Sequence, residues 1–468
     1  MCPLREAGHL GGTFHAFLIT DAGRSGHNHR VILRPSIRLL APALALVAGC
    51  TIEGALGRDP AEYHVVADVP PVLREQLDLL FVVDTTQGAP VMEARATAAL
   101  ADLRAQLVFV NDRDFQLRVG VVSADVGVAG VSGCADPASG GALIPPTGDV
   151  GTGLCRADGS WLTCDPPDGR RPDNLAQAFA AVHVPPSECG YPQPLNALAR
   201  VVDPSTQFVR PGAALGVVVI AGRDDCSASS DFYDGSSADP TLRCFQEGVT
   251  CTGDDVGEGG GRCQPRQQSR LVSIEEPTKL VGNIDPEAVV VAGAVGDADR
   301  VTIQNGGDQP ELLPACAQDG ADIYPAVRLS SFVQSFAHHA IAPLCQADGP
   351  GLGTPTGHEL RRVLGSRCLS GRLRDIEPDI GGMQWDCLVT AVGPGEQRTP
   401  LPACRSQTSD YIKASDPCFR ISMGGHCGDA ESGFEVSVNW GRAGGRDPQQ
   451  AWDDTRTEVS CLLADAAP

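Results

Sequence analysis

Four segments of this chain of 468 residues are nearly continuous apolar runs of strand length, at 77–83, 115–125, 214–221 and 288–295. Strands that are buried on both faces of a parallel sheet have this composition, whereas strands with one solvated face alternate between apolar and polar residues. The four runs therefore predict the central strands of a parallel sheet that other elements cover on both sides.

Segments with helical spacing lie between and after these runs. Apolar residues recur at intervals of three and four from 90 to 108 and again from 328 to 340, and shorter helices are predicted near 175–182 and 194–201. Strands that alternate with helices are typical of an α/β fold with right-handed crossovers. We therefore predict an α/β fold with a doubly wound, mainly parallel sheet.

Acidic side chains follow three of the predicted strands. Asp84 follows the first, Asp125 ends the second, and Asp224 and Asp225 follow the third. Since ligands of open α/β sheets bind beyond the carboxyl ends of the strands, these acids are expected at one edge, near a binding site. With the hydroxyl of Thr86 they supply the oxygen ligands that hard cations prefer, so Mg²⁺, Mn²⁺ or Ca²⁺ is the cofactor predicted there.

Two other interpretations of these acids stay open. Asp224 and Asp225 are also suited to capping the turn that follows them, and Arg223 is placed to form an ion pair with Asp84. Either interaction would use carboxylate oxygens that a metal ion needs.

The segment 84–88, DTTQG, resembles the D-x-S-x-S turn of von Willebrand factor type A (vWA) domains. The segment 217–228, VVVIAGRDDCSA, resembles a strand exit in vWA-containing lipoproteins of the myxobacterial type. The resemblance covers about residues 76–345. It implies a vWA, Rossmann-like sheet and a metal-ion-dependent adhesion site that the turn opens.

The chain departs from the vWA metal-site pattern at three positions. Gly88 stands where the turn has its last Ser, Gly222 stands where the family has an Asp, and the segment 191–194, YPQP, contains no Thr. Mg²⁺ requires near-octahedral oxygen coordination, so the loss of these ligands predicts a degenerate site with severely weakened metal binding.

An apolar run at 39–49, LLAPALALVAG, ends directly before Cys50. Its length suits a signal peptide and is well below the roughly 20 residues that span a bilayer. Arg34 and Arg38 supply the positive charge that precedes such a run. The segment 47–50, VAGC, resembles a bacterial lipobox, which implies cleavage before Cys50 and a lipid on that cysteine. A buried helix that ends in Gly-Cys is the alternative interpretation.

The chain contains 18 cysteines, and with Cys2 and Cys50 set aside, ten lie in one half and six in the other. Even numbers in both halves of an exported chain predict disulfides that close within each half. Zinc is disfavoured because no C-x₂-C pair occurs. The predicted disulfide residues are Cys134, Cys155, Cys164, Cys189, Cys226, Cys244, Cys251, Cys263, Cys316, Cys345, Cys368, Cys387, Cys404, Cys418, Cys427 and Cys461.

The predicted organisation has four parts. These are a leader and lipoprotein signal peptide at 1–49, a tether at 50–72, a vWA-like domain at 73–348 and a small, mainly β, disulfide-rich region at 349–468. Cysteine-rich loop insertions without regular periodicity are expected at about 126–172 and 227–268. The motif C-x-x-D-G, which starts at Cys155, Cys316 and Cys345, predicts bridged turns, with calcium loops as the alternative.

The net charge of the chain limits the classes of molecule that it is expected to bind. A net charge of −22, from 58 acidic and 36 basic residues, opposes binding to nucleic acid and to anionic membrane surfaces. Contact with a membrane is therefore expected only through the N-terminal lipid. The predicted localisation is the cell envelope, on its outer-membrane, periplasmic or surface side.

The predicted function is a lipid-anchored binding or adhesion protein for an unidentified protein or polymer ligand. An envelope hydrolase that uses acids at the sheet edge and a purely structural lipoprotein are the alternatives. No G-x-S-x-G, H-E-x-x-H or G-x-x-x-x-G-K-[ST] motif occurs, so no catalytic activity is predicted. His338 and His339 are expected on the solvated side of the helix at 328–340.

Overall fold

The structure is a computed structural model and describes residues 62–69, 74–86, 88–107, 116–134, 140–165, 174–233, 239–252, 262–304, 310–346, 351–365, 367–379, 384–404, 417–423, 427, 433–439 and 455–464. All of them belong to one compact unit, Pro60–Pro468. The predicted leader, signal peptide and lipidated Cys50 lie outside the described residues. No described helix is both long enough and apolar enough to cross a bilayer.

The strands are β1 Tyr63–Val69, β2 Gln76–Val83, β3 Gln116–Ser123, β4 Cys155–Asp158, β5 Trp161–Cys164, β6 Ala214–Ala221, β7 Val249–Thr252, β8 Arg262–Pro265, β9 Val289–Val295, β10 Ile303–Gln304, β11 Glu311–Leu312, β12 Cys316–Gln318, β13 Ala321–Ile323, β14 His338–Pro343, β15 Cys387–Gly393, β16 Gln397–Leu401, β17 Cys418–Met423, β18 Phe434–Asn439 and β19 Arg456–Leu462. The helices are α1 Ala89–Leu107, α2 Leu175–Ala180, α3 Pro194–Val202, α4 Pro240–Gly248, α5 Glu275–Gly282, α6 Val327–Gln334 and α7 Gly353–Leu364.

The main sheet has the order β14-β9-β6-β2-β3-β5-β4. The strands from β14 to β3 are parallel, and the hairpin β4–β5 adds an antiparallel edge beside β3. We count the strands of this sheet along the chain from β2, with the hairpin β4–β5 as one position. Their order across the sheet is then 3-2-1-4-5-6, the doubly wound order. The order reverses between β2 and β6. The predicted fold class, an α/β fold with a doubly wound and mainly parallel sheet, is confirmed.

Alternate residues of β2 pack into different cores. Leu79, Phe81 and Val83 join α1, α2 and α7 on one face, while Leu80 and Val82 join α3 and α6 on the other. Because both faces are covered, β2 has no solvated side, and from Leu77 to Val83 its sequence is apolar except for the buried Asp78.

A second sheet, of order β1-β19-β15-β16, is antiparallel throughout. With the hairpin β17–β18 it encloses its own core, which includes Val389, Phe419 and Val459. This confirms small, disulfide-linked β structure towards the C-terminus. However, β1 comes from the segment predicted as a tether, and it pairs with β19 at the far end of the chain. The tether prediction is therefore wrong for Tyr63–Val69. Its partner strand is distant in the sequence, so the residues around Tyr63–Val69 do not indicate the pairing.

The boundary predicted at residue 349 also differs from the structure. Helix α7 follows that boundary, yet Leu360, Val363 and Leu364 pack into the core formed with α1 and the main sheet. The small C-terminal structure therefore begins after α7. The composition of the sequence does not change at the end of α7, so the sequence does not indicate where the small C-terminal structure begins.

The helix predicted at 328–340 is shorter than expected. Helix α6 ends at Gln334, and the remaining residues enter β14, the parallel edge strand beside β9. His338 and His339 therefore lie on a strand and not on a helix face. Short apolar runs do not distinguish a buried helix from a strand by periodicity alone, which explains the error.

The predicted loop insertions contain regular structure. Hairpin β4–β5 lies in the first, and helix α4 with hairpin β7–β8 lies in the second. These elements are only four to nine residues long, so their apolar periodicity is too short to be seen in the sequence.

All sixteen predicted cysteines form disulfides, and every disulfide closes within its own half of the chain, as predicted. The pairs are Cys134–Cys189, Cys155–Cys164, Cys226–Cys244, Cys251–Cys263, Cys316–Cys345, Cys368–Cys427, Cys387–Cys461 and Cys404–Cys418.

Candidate functional site at the carboxyl edge of the main sheet

Asp84 lies at the carboxyl end of β2, beside the point where the strand order reverses. Its N–H donates to the carbonyl of Ile220 on β6 at 2.8 Å, and the N–H of Ala124 donates to the carbonyl of Val83 at 2.8 Å. The hydrogen-bonded ladders on both sides of β2 thus continue up to Asp84. Ligands of open α/β sheets bind outside this point, so the geometry makes it the first candidate site.

The side chain of Asp84 is fully buried. Its Oδ1 accepts hydrogen bonds from the N–H of Thr86 at 2.9 Å and from the Thr86 hydroxyl at 2.6 Å. Its Oδ2 is buried without a hydrogen-bond partner among the described residues. Burial raises the pKa of this carboxyl above its usual range, and the Thr86 hydrogen bonds and the positive charge of Arg223 oppose the rise. The structure thus places the Thr86 hydroxyl on the carboxylate of Asp84.

A chain of hydroxyl groups connects this turn to Asp125. The hydroxyl of Thr85 lies 3.0 Å from that of Ser123, which accepts the N–H of Asp125 at 3.0 Å. Asp125 in turn accepts the hydroxyl of Ser187, whose N–H donates to the carbonyl of Thr85 at 3.0 Å. The sequence pattern predicts neither Ser123 nor Ser187 as a site residue. Ser187 lies four residues before the segment 191–194, where the vWA pattern has its Thr.

Asp224 caps helix α6. Its Oδ2 accepts the N–H of Arg328 at 2.9 Å, and its Oδ1 accepts the N–H groups of Leu329 at 3.0 Å and Asp225 at 2.9 Å. The N–H groups in the first turn of a helix have no partner inside the helix, so this carboxylate satisfies two of them. Burial raises the pKa of Asp224 to about 6, although these hydrogen bonds and the charge of Arg328 lower it.

Asp225 caps helix α3 and binds Arg328. Its Oδ1 accepts the N–H of Leu195 at 3.2 Å and the hydroxyl of Ser227 at 2.6 Å, while its Oδ2 accepts the Arg328 guanidinium at 2.9 Å. The exposed fraction is 2% for the Arg328 side chain and 0% for that of Asp225. The capping interpretation of the two acids therefore fits, but they cap α6 and α3 instead of the next turn.

The residues at this edge do not fit a divalent cation. Across the described ranges, no group of three or more His, Cys, Asp or Glu side chains could hold a metal ion. Helix N–H groups and Arg328 occupy the carboxylate oxygens of Asp224 and Asp225, and only Oδ2 of Asp84 has no hydrogen bond. One carboxylate oxygen does not provide the coordination that Mg²⁺ or Ca²⁺ requires. The metal site therefore stays a prediction that this geometry does not support.

No protein-family model matches the chain, and no curated protein matches it. Among solved structures, the conserved hypothetical protein BatB from Bacteroides thetaiotaomicron is similar at 9% identity and a TM-score of 0.29, over 62% of this chain and 98% of that chain. A von Willebrand factor type A protein from Catenulispora acidiphila is similar at 10% identity and a TM-score of 0.26, over 86% of this chain and 68% of that one. The pilus adhesin SpaC from Lactobacillus rhamnosus GG, in its open conformation, is similar at 11% identity and a TM-score of 0.29, over 86% and 41%. Likenesses of this size carry no argument about function.

Three disulfides link loops that leave the sheet at this same edge. Cys134–Cys189 joins the loop after β3 to the segment before α3, Cys226–Cys244 joins the exit of β6 to α4, and Cys316–Cys345 joins hairpin β12–β13 to the exit of β14. We call residues 128–134 and 185–189 the loop pair. Its exposed residues are Ala129, Gly130, Ser132, Gly133, Pro185, Pro186 and Glu188.

Two of the C-x-x-D-G motifs form hairpin turns. The disulfide Cys155–Cys164 closes the first hairpin, whereas Cys316 joins the second hairpin to Cys345 at the exit of β14. Cys155 and Cys316 open hairpins β4–β5 and β12–β13, and Gly159 and Gly320 in their turns have φ angles of 63° and 82°. The third motif, at Cys345, lies partly outside the described residues.

Proposed function

We propose that this protein is an exported, lipid-anchored protein of the cell envelope that binds a protein or polymer ligand through the loops at the carboxyl edge of its main sheet. The observation that carries this proposal is the concentration of three disulfides among those loops. A loop that is already fixed loses little conformational entropy when a ligand binds, which favours recognition by a rigid surface.

The buried acids of the edge support a surface role for the loops. Asp224 and Asp225 anchor α6 and α3, and Asp84 has no exposed surface. Recognition is therefore assigned to exposed residues such as Ser132 and Glu188 in the loop pair.

Binding is tested by capture from envelope extracts under oxidising conditions, with the protein immobilised through its N-terminus. A variant with Ser132→Arg and Glu188→Arg changes the loop pair, while Glu287→Arg is a matched control in the turn before β9, at the opposite edge of the sheet. We expect one reproducible partner that the wild type and the control retain and the loop-pair variant loses. Equal capture by all three proteins would contradict the assignment of the surface.

The lipid anchor is tested separately by metabolic labelling with palmitate. Cys50→Ser is expected to abolish the label and release the protein from the membrane fraction, because the lipid would be attached through the sulfur of Cys50. Cys2→Ser is the matched control and is expected to keep the label. An unchanged label on Cys50→Ser would remove the anchor from the proposal without affecting the binding surface.

A further inference from the structure

The antiparallel hairpin β12–β13 lies over the carboxyl end of β2. We call residues 315–324 the cover hairpin. The N–H of Ala315 donates to the carbonyl of Ile323 at 2.8 Å, which closes the base of the hairpin. The N–H of Tyr324 donates to the carbonyl of Gly222 at 2.8 Å, which joins the hairpin to the exit of β6.

Gly88 lies directly beneath the cover hairpin. A Cβ atom added to Gly88 would lie 2.6 Å from the Cβ of Ala321. Non-bonded carbon atoms pack best at about 3.5–4.0 Å, so any side chain at residue 88 would collide with the hairpin. Ala321 is itself buried.

Gly222 lies beneath the same hairpin. A Cβ atom there would lie 3.2 Å from Cε of Met92 and 3.5 Å from Cδ1 of Ile323, and both of these side chains are fully buried. A carboxylate at residue 222 would therefore enter an apolar layer. Gly88 and Gly222 are two of the three positions where the chain departs from the vWA ligand pattern, and one element fills the space at both.

The cover hairpin is tied to its surroundings at several points. The Cys316–Cys345 disulfide joins it to the exit of β14, and Asp319 forms an ion pair of 3.6 Å with Arg95 on α1. The guanidinium of Arg223 lies 5.7 Å from the ring centre of Tyr324, at the end of the hairpin. The hairpin therefore helps to place the charge of Arg223, which acts on Asp84.

We propose that the cover hairpin takes the place of a metal ion at the end of β2. It fills the space of the missing ligand side chains, and at its end lies Arg223, whose positive charge acts on the buried carboxyl of Asp84. The structure of this edge of the sheet is then independent of divalent cations. This inference holds whether or not the loop pair binds a ligand.

The steric part of the proposal is that the cover hairpin fills the space above Gly88. It is tested by a double-mutant cycle of Gly88→Ala and Ala321→Gly, with the midpoints of urea unfolding as the readout. Gly159→Ala is the matched control, because Gly159 has a φ of +63° against +66° for Gly88 and has nothing within 4 Å of its added Cβ. We expect Gly88→Ala to lower the midpoint more than Gly159→Ala does, and we expect Ala321→Gly to remove the excess. Equal losses for the two glycines, with no coupling to Ala321, would overturn the steric part.

The metal-free state is tested on the wild type, so the result does not depend on whether a variant folds. Calorimetric titration with Mn²⁺, Mg²⁺ and Ca²⁺ up to about 1 mM, the weak end of protein cation sites, is expected to show no saturable binding. Saturable binding that Asp84→Ala abolishes would overturn the proposal. Calorimetry also separates it from the proposed function, because capture by the loop pair is measured independently of any metal.

Discussion

At the scale of single residues, the ion pair between Arg328 and Asp225 is the most buried charge interaction of the carboxyl edge, with exposed fractions of 2% and 0%. Removing one partner leaves an uncompensated charge in the interior. We therefore expect Arg328→Met to lower the free energy of unfolding by about 3–5 kcal/mol. Adding Asp225→Asn should recover part of the loss, because the unpaired charge is removed.

The control for this substitution is Lys279→Met, which removes the exposed pair Lys279–Glu275, with side chains 72% and 71% exposed. An exposed pair of this kind contributes about 0.3–0.5 kcal/mol. Urea unfolding of all four proteins measures the difference. Similar losses for Arg328→Met and Lys279→Met would refute the structural role of the buried pair.

Asp224 gives a prediction about pH. Its pKa is about 6 in the folded protein against 3.8 for the unperturbed carboxyl. A raised pKa means that the native state binds the proton more tightly, so this contribution to stability is complete below pH 4 and declines as the pH rises through 6. The decline amounts to at most about 3 kcal/mol.

Asp224→Asn does not titrate and isolates this effect. The stability of the wild type relative to the variant should fall between pH 4 and pH 7, and a carboxyl carbon resonance that titrates near pH 6 should disappear in the variant. A relative stability that stays constant or rises over this range would show that the carboxyl is not desolvated.

The residues of this site differ in how far the sequence predicts their roles. The turn at Asp84 is local, because both hydrogen bonds come from Thr86, two positions away, and the sequence pattern identifies it. By contrast, Asp224 accepts the backbone N–H of Arg328 and Asp225 binds its guanidinium. Arg328 lies about a hundred residues later in the chain than either acid. Nothing near Arg328 in the sequence marks it as buried, since arginine in a helix is ordinarily solvated.

At the scale of elements, burial on both sides decides which strands the sequence reveals. Every residue of β2, β6 and β9 is buried except the partly buried Gln76, and their nearly continuous apolar runs predict them within one residue at either end. The edge strand β14 and the outer strand β1 are only partly buried, so no such run marks them. Their existence depends on partner strands that are distant along the chain.

Close packing within an element is tested at Gly120 of β3. A Cβ atom there would lie 2.6 Å from Cε2 of Phe208 and 2.8 Å from Cδ2 of Leu143. Gly120→Ala should therefore destabilise the protein by about 1–3 kcal/mol. Gly282→Ala is the control on helix α5, where nothing lies within 4 Å, and it should stabilise by about 0.4–1 kcal/mol. Thermal or urea unfolding distinguishes them, and a loss at both positions would contradict the packing argument.

At the scale of the whole molecule, the second sheet joins the two ends of the described chain. Strand β1 pairs with β19, Tyr63 opposite Leu462, and β15 pairs with the other side of β19. The Cys387–Cys461 disulfide lies directly across the β15–β19 pair. This sheet therefore requires strands from both ends of the described chain, and the disulfide links its two inner strands.

The chain-entropy account of disulfides then predicts unequal effects for two bridges that close loops of different length. Cys387–Cys461 closes a separation of 74 residues and Cys155–Cys164 closes one of 9. Replacing both cysteines by serine should cost about 4–5 kcal/mol for the longer loop and about 3 kcal/mol for the shorter one. Urea unfolding under oxidising conditions gives both values, and hydrogen exchange should show faster opening of β1 and β19 only in the variant that lacks the longer bridge. Equal losses would mean that native-state contacts of the sulfur atoms, and not the restriction of the unfolded chain, determine what these disulfides contribute.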